Sequence, residues 1–219
     1  MAVYQNLRGR FAPLLRSFKR GRRDFKLLLG RGKLLLWPRL GLPLSIVVGS
    51  AGESSLGWIP TDTGFLDLLK PDDWNRWKLN GNVRAILAEH VWEHLHPAEG
   101  LVAATQCIRS LRPGGHLRLA VPDGFFPDTD YINQVEPGGT GAGAHDHKVL
   151  YNYHTLQKLL MDAGFIVSLL EWWDEDGTFH HKSWDRRDGL IRRSKKRDAR
   201  NKGEKLRYTS LISDARKPE

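Results

Sequence analysis

The chain has 219 residues, 40% of them hydrophobic and including eight Trp and eight Phe, enough for one domain with a full core and too short for two. A single cysteine, Cys107, excludes an internal disulfide and any multi-cysteine zinc site, and no apolar run reaches the roughly 20 residues of a membrane span. The net charge of +9 divides into +10 on residues 1–39, −9 on residues 40–181 and +8 on residues 182–207, an acidic body between basic flanks that argues against nucleic acid held across the whole molecule.

In residues 1–39, Phe11, Leu14, Leu15 and Phe18 fall at i, i+3, i+4 and i+7, one helical face, with Arg10, Arg16, Lys19, Arg20, Arg22 and Arg23 around it. Such a basic amphipathic helix can lie in a membrane interface. The expected location is the cytoplasm, peripheral to the inner membrane face. A transit peptide would also be Arg-rich, but Ser17 is the only serine here and no cleavage break follows. The segment is read as an integral extension, with packing on the body as the alternative.

Past Pro43, Leu44-Ser45-Ile46-Val47-Val48 reads as a strand stopped by the turn Gly49-Ser50-Ala51-Gly52. Trp58 to Asp62 is a short extended piece that Pro60 demotes toward an edge. Residues 64–82, with Phe65, Leu66, Leu68, Leu69, Trp74 and Trp77, form a helix or packed loop. A strand over Ala85–Ala88 ends abruptly in Glu89-His90-Val91-Trp92-Glu93-His94. Pro97 then opens a helix with Leu101, Ala104, Ile108 and Leu111 on one face and Cys107 as a core side chain. A Pro113-Gly114-Gly115 turn leads to a strand over Leu117–Val121 that ends in Pro122-Asp123. This is a βαβ unit with reactive side chains at the carboxyl ends of its strands, the edge where open sheets bind ligands.

Residues 124–148, rich in Gly, Pro and Asp, form a long loop of the kind that is usually functional. Leu156, Leu159, Leu160 and Ala163 mark a helix closed by Gly164. Phe165–Leu170 is a strand extending toward Trp172-Trp173. A basic insertion over about 177–207 precedes a last strand at Tyr208–Ser213.

These patterns, in this order, resemble the class I S-adenosylmethionine (SAM)-dependent methyltransferases, in particular the small bacterial "predicted SAM-dependent methyltransferase" group. The resemblance rests on Ile46 to Ala51, Gly57 to Asp62, Glu89 to Leu95 and Leu111 to Asp123, and covers roughly 40–217. It implies a Rossmann-like, seven-stranded, mostly parallel sheet with helices on both faces over 40–219, preceded by the basic extension 1–39. It also implies SAM as cofactor and transfer of its methyl group to an acceptor.

On that resemblance Gly49, Ser50 and Ala51 leave room for the methionine end, Asp62 accepts the ribose hydroxyls, Asp67 beside Phe65 meets the adenine, and Glu89 and His90 complete the cofactor site. Val47 and Val48 stand where many members carry an acid, and Ala51 replaces a glycine. Glu89, His90, His145 and His147 are the catalytic candidates for removing an acceptor proton. Glu89 and Glu93, like His90 and His94, would stack if a helix began here.

His145-Asp146-His147 has metal-ligand character, but nothing else in the sequence completes a set, and no metal is assigned. Trp172, Trp173 and Trp184 beside acids suit a sugar, and Arg192 to Arg197 suit phosphate or membrane-anchored acceptors. The expected acceptor is a small-molecule or glycan-containing anion; no RNA-stacking platform is visible. The alternative is a catalytically silent member acting as a binding or assembly protein. A nicotinamide oxidoreductase is disfavoured, since the first turn lacks Gly-x-Gly-x-x-Gly and no Tyr-x-x-x-Lys pair follows.

Overall fold

The computed structural model describes residues 20–201, 203 and 206–219; the helical face at 11–18 lies outside them. Seven strands form one sheet in the order β2-β1-β3-β4-β7-β5-β6. They are β1 Leu44–Val47, β2 Ile59–Pro60, β3 Val83–Glu89, β4 Leu111–Pro122, β5 Ile166–Trp173, β6 Phe179–His181 and β7 Ser210–Arg216. β1 to β4 pair in parallel, and β7 enters antiparallel between β4 and β5. The α/β, Rossmann-like class expected from the sequence is present. Its seven strands are reached differently, however. Where the resemblance implies a strand between Asp62 and Val83 the chain forms the short helix α2, Pro71–Arg76. The seventh strand is β6, folded back on β5 inside the segment expected as a basic insertion.

The two faces of the sheet are covered by different means. On one, Ile46 and Val48, Ile86 and Ala88, and Leu117, Leu119 and Val121 meet residues of helices α3 (Pro97–Ser110) and α5 (Tyr153–Asp162). Strand alternation turns Val47, Leu87, Ala120 and Ile212 to the other face, where the packing partners among the described residues are Trp58, Trp184 and Ile191 rather than an α-helix.

An irregular cover leaves carbonyls that need donors, and two charged side chains on the strands help hold it. Arg118 on β4 meets its β7 neighbour Asp214 in a fork, Nε to Oδ1 and Nη2 to Oδ2 both 2.7 Å. Its Nη1 donates to the carbonyls of Asp185 and Gly189 at 2.8 Å. Glu171 on β5 accepts the Trp184 indole N–H at 3.0 Å and the Lys195 amide at 2.7 Å. The basic stretch after β6 is therefore a layer of the fold.

Residues 20–36 form helix α1. Leu34 is 1% exposed within the main core, and a Cβ on Gly30 would lie 2.5 Å from the Pro60 carbonyl oxygen. The β1–β2 connection is made of turns, and α1 supplies cover there from upstream. The described part of the basic extension thus packs on the body.

Three local expectations need correction. Leu101 is exposed, and the buried stripe of α3 is Gly100, Ala103, Ala104 and Cys107, because a small residue at 100 lets Leu159 and Tyr151 approach to 3.1 Å of where a Cβ would be. Pro113-Gly114-Gly115 belongs to β4 as a register shift against Val83 and Ala85. The 124–148 loop contains helix α4, Thr129–Val135, started by Asp128, whose carboxylate accepts the amides of Asp130 and Tyr131.

Candidate functional site

From β1 the chain goes to β2 on one side, while β3 and β4 lie on the other, so the strand order reverses between β1 and β3. Ligands of open α/β sheets bind outside the carboxyl ends at such a point. A cavity of about 540 Å³ lies there, lined by Val48, Gly49, Ser50, Ala51, Glu53, Glu89, His90, Arg192 and Arg193 among others, a volume in the range of small-molecule sites. Its floor is the turn after β1, held by the Ser50 amide on Thr61 O at 3.0 Å and the Gly52 amide on Ser50 Oγ at 3.1 Å.

Gly49 has φ +57°, and a Cβ there would sit 2.7 Å from Val91 Cγ2. The missing side chain therefore makes room for the β3 crest as well as for a ligand. Ala51, at φ +47°, holds a left-handed conformation where the resemblance implies glycine, a strain of about 1 kcal/mol.

The acids divide by what they touch. Glu89 ends β3, and its Oε1 accepts the amides of Arg192 and Arg193, both at 2.8 Å; it fastens the far wall of the cavity. Glu53 lines the same cavity, with its carboxylate 3.5 Å from Lys26 Nζ and 3.8 Å from Arg192 Nη1. Asp62 follows β2 with Oδ2 3.3 Å from Arg23 Nη2 of α1 and Oδ1 accepting the Thr63 amide, outside that lining. Asp67 accepts the Leu69 amide and pairs with Lys70 at 3.1 Å, also outside it. Phe65 is buried, edge-on to Trp77 and under Arg31.

Beyond Glu89 the backbone turns at His90, φ +57°, into a 3-10 turn over Trp92–His94. The expected helical stacking of Glu89 on Glu93 and His90 on His94 is replaced by a His90–Glu93 pair, Nδ1 to Oε1 2.8 Å. His90 Nε2 lies 3.0 Å from Ser210 Oγ. Glu93 is fully buried. Burial pushes its pKa up, but the adjacent His90, with His94, outweighs it and leaves the carboxyl below its ordinary value. Cys107 is a buried thiol whose pKa burial raises, a core side chain as expected.

His90 and Arg193 also line a second cavity, of about 270 Å³, together with Glu93, His94, Gly141, His147, Arg200 and Tyr208. His147 reaches it from the 124–148 loop and packs edge-on to His94 at 4.8 Å between ring centres. His145 stays exposed on the turn Ala144–Asp146. The structure thus gathers His90 and His147 with Glu93 and His94, sets Glu89 beside them, and leaves His145 out.

The tryptophans considered for sugar have partners within the chain. Trp172 stacks on His180 at 4.9 Å, Trp173 donates to Thr209 Oγ1 at 2.9 Å, and Trp184 covers Arg118 at 5.0 Å. Nothing in the sequence marks Ser210 and Tyr208 as site residues. They reach it because β7 inserts between β4 and β5, a crossing that no local pattern announces.

No protein-family model and no curated protein matches the chain. Solved structures similar to it include the SAM-dependent methyltransferase SibL, at TM-score 0.46 and 10% identity over 81% of this chain; the chain spans only 44% of that protein. A SAM-dependent methyltransferase from Thermotoga maritima is similar at TM-score 0.46 and 13% identity over 97% of this chain and 99% of that one. The 1,6-didemethyltoxoflavin-N1-methyltransferase of Burkholderia thailandensis is similar at TM-score 0.44 and 18% identity, over 96% and 90%.

Proposed function

We propose that the chain is a SAM-dependent methyltransferase whose cofactor lies in the cavity over the β1 turn and whose acceptor enters the adjoining cavity beyond His90. The observation that carries this reading is the pair of cavities at the switch point, with His90 in the wall of both. The residues fit the cofactor in kind: a turn without bulk at Gly49, polar groups at Ser50 and Ser54, and a carboxylate, Glu53, facing the cavity as an acceptor for ribose hydroxyls. When bound, SAM supplies an electrophilic methyl group. The chain's own task is to place the acceptor and hold its proton.

His90 is suited to that proton. Glu93 fixes one ring nitrogen and would stabilise the imidazolium, as the carboxylate does in a histidine–acid pair. Arg193, in the wall of both cavities, favours an anionic acceptor, consistent with a phosphate- or sugar-bearing molecule. Calorimetric titration with S-adenosylhomocysteine tests the reading. One molecule should bind per chain, and Ser54→Trp, which fills the cavity from an exposed position, should abolish binding. No heat at millimolar ligand would leave the silent binding protein instead.

We further infer that α1 rests on an anionic membrane surface. Phe25, Leu28, Leu29, Leu35 and Leu36, at helical spacing, are all exposed, and Arg20, Arg22, Lys33 and Arg39 lie on the same helix or just after it. Leu28→Glu should release the chain from anionic vesicles; binding unchanged by it, or equal on neutral vesicles, would refute the inference.

A further inference from the structure

The structure assigns Glu93, His94 and His147 as a binding site for one first-row divalent cation, zinc in the first instance, with a fourth position open to an oxygen ligand in the smaller cavity. One ligand atom from each of the three residues lies within 4.8 Å of the others. Two donors on a tetrahedral zinc stand about 3.4 Å apart, so closing the site takes a movement of about an ångström, within the reach of side-chain rotation.

Four features separate this cluster from a chance meeting of polar groups. Glu93 is 0% exposed and spends Oε1 on the His90 pair, while Oε2 has no hydrogen-bond partner. A buried carboxylate oxygen left without a donor is costly unless a cation meets it. His94 Nδ1 is likewise buried and makes no hydrogen bond, with Asp146 Oδ2 3.4 Å away. The His147 Nδ1 lies 2.7 Å from the Val135 carbonyl oxygen. A carbonyl can only accept, so Nδ1 carries the proton and Nε2 keeps its lone pair, the second-shell arrangement that presets a histidine for metal.

The fourth feature is the anchoring of the loop. The Lys148 amide donates to the Glu93 carbonyl at 2.7 Å, which brings His147 to Glu93 and His94 across more than fifty residues of sequence. Two imidazoles and one carboxylate form a catalytic rather than a structural zinc set, since one position stays free. That position opens on the cavity lined by His90, Arg193 and Tyr208.

The site needs no SAM, so its test stands apart from the methyltransferase reading. The full chain, stripped with a chelator, is titrated with Zn²⁺ against a chromophoric competitor and with Co²⁺ followed by visible absorption. One ion should bind per chain, with the intense Co²⁺ bands of a four-coordinate site. His147→Ala and His94→Ala should each weaken binding by at least about tenfold, and His181→Ala, at an exposed position away from the cluster, should leave it unchanged. Glu93→Gln is a further variant if it folds; His147→Ala, on a half-buried loop position, keeps the test open if it does not. Absence of stoichiometric binding, or equal affinity in the parent and His147→Ala chains, would overturn the assignment. Metal binding without S-adenosylhomocysteine binding would sink the methyltransferase reading alone, and the reverse result would sink this site alone.

Discussion

Replacing Arg118 by Met tests whether the irregular segment after β6 is a structural layer that forms the cavity wall. Arg118 is 1% exposed and makes four short hydrogen bonds, two to Asp214 and two to the carbonyls of Asp185 and Gly189. Methionine keeps the apolar stem and removes all four. Breaking a buried pair by deleting one partner costs about 3–5 kcal/mol. The Asp214 side chain is one-quarter exposed and recovers part of its hydration, which sets the expectation at about 3 kcal/mol.

For a chain of this size that loss lowers Tm by about 6–12 °C, since each kcal/mol is worth about 2–4 °C. Urea unfolding reads the stability. Amide hydrogen exchange at Arg192 and Arg193 reads the wall, and both amides should exchange faster than in the parent because their Glu89 acceptor no longer faces a fixed segment. A loss under about 1 kcal/mol with unchanged exchange would show that the pair acts as a surface ion pair and that the cover is held elsewhere.

Two further substitutions address the acids. Glu53→Gln should weaken S-adenosylhomocysteine binding more than Asp62→Asn, because Glu53 lines the cavity while Asp62 faces Arg23; calorimetry showing the opposite order would return the ribose contact to Asp62. Asp123 is fully buried, and burial raises its carboxyl from 3.8 to about 7 against the amides of Trp173 and Phe125. The folded chain therefore keeps a proton that the unfolded chain sheds, so this group favours folding at low pH and that contribution is lost as pH rises from about 4 to about 7. At 1.36 kcal/mol per unit the full effect reaches about 4 kcal/mol. Asp123→Asn should flatten the stability profile over that window, and parallel profiles for the two chains would refute the assignment.

The sequence makes legible those parts of the molecule that fold locally. β1 reads as an apolar run broken only by Ser45 because it is buried on both faces. Pro97 and Gly164 punctuate α3 and α5 as their backbone geometry predicts. The crest residues Gly49 and His90 could be found because they terminate such strands.

What escaped reading depends on contacts distant in sequence. β6 is three residues, Phe179-His180-His181, without an alternating pattern to announce it. The run of charges after it looks solvated until Glu89, Arg118 and Glu171 are seen to hold it; the one local hint was an arginine between Leu117 and Leu119. The Glu89 to His94 segment suggested a helix by its spacing of four, but the left-handed turn at His90 re-aims Glu93 toward the imidazole beside it. His145 and His147 are indistinguishable in sequence. The Lys148 amide on Glu93 O and the His147 Nδ1 contact to Val135 O decide which of them joins the cluster.

If a sulfonium nucleoside docks between the ends of β1 and β3, amide chemical shifts mapped on addition of S-adenosylhomocysteine will show where. Shifts should concentrate at residues 48–55, 89–91 and 190–193. An unchanged spectrum, or shifts centred instead on residues 182–186 and 195–197 of the groove beside β5 and β6, would refute the docking.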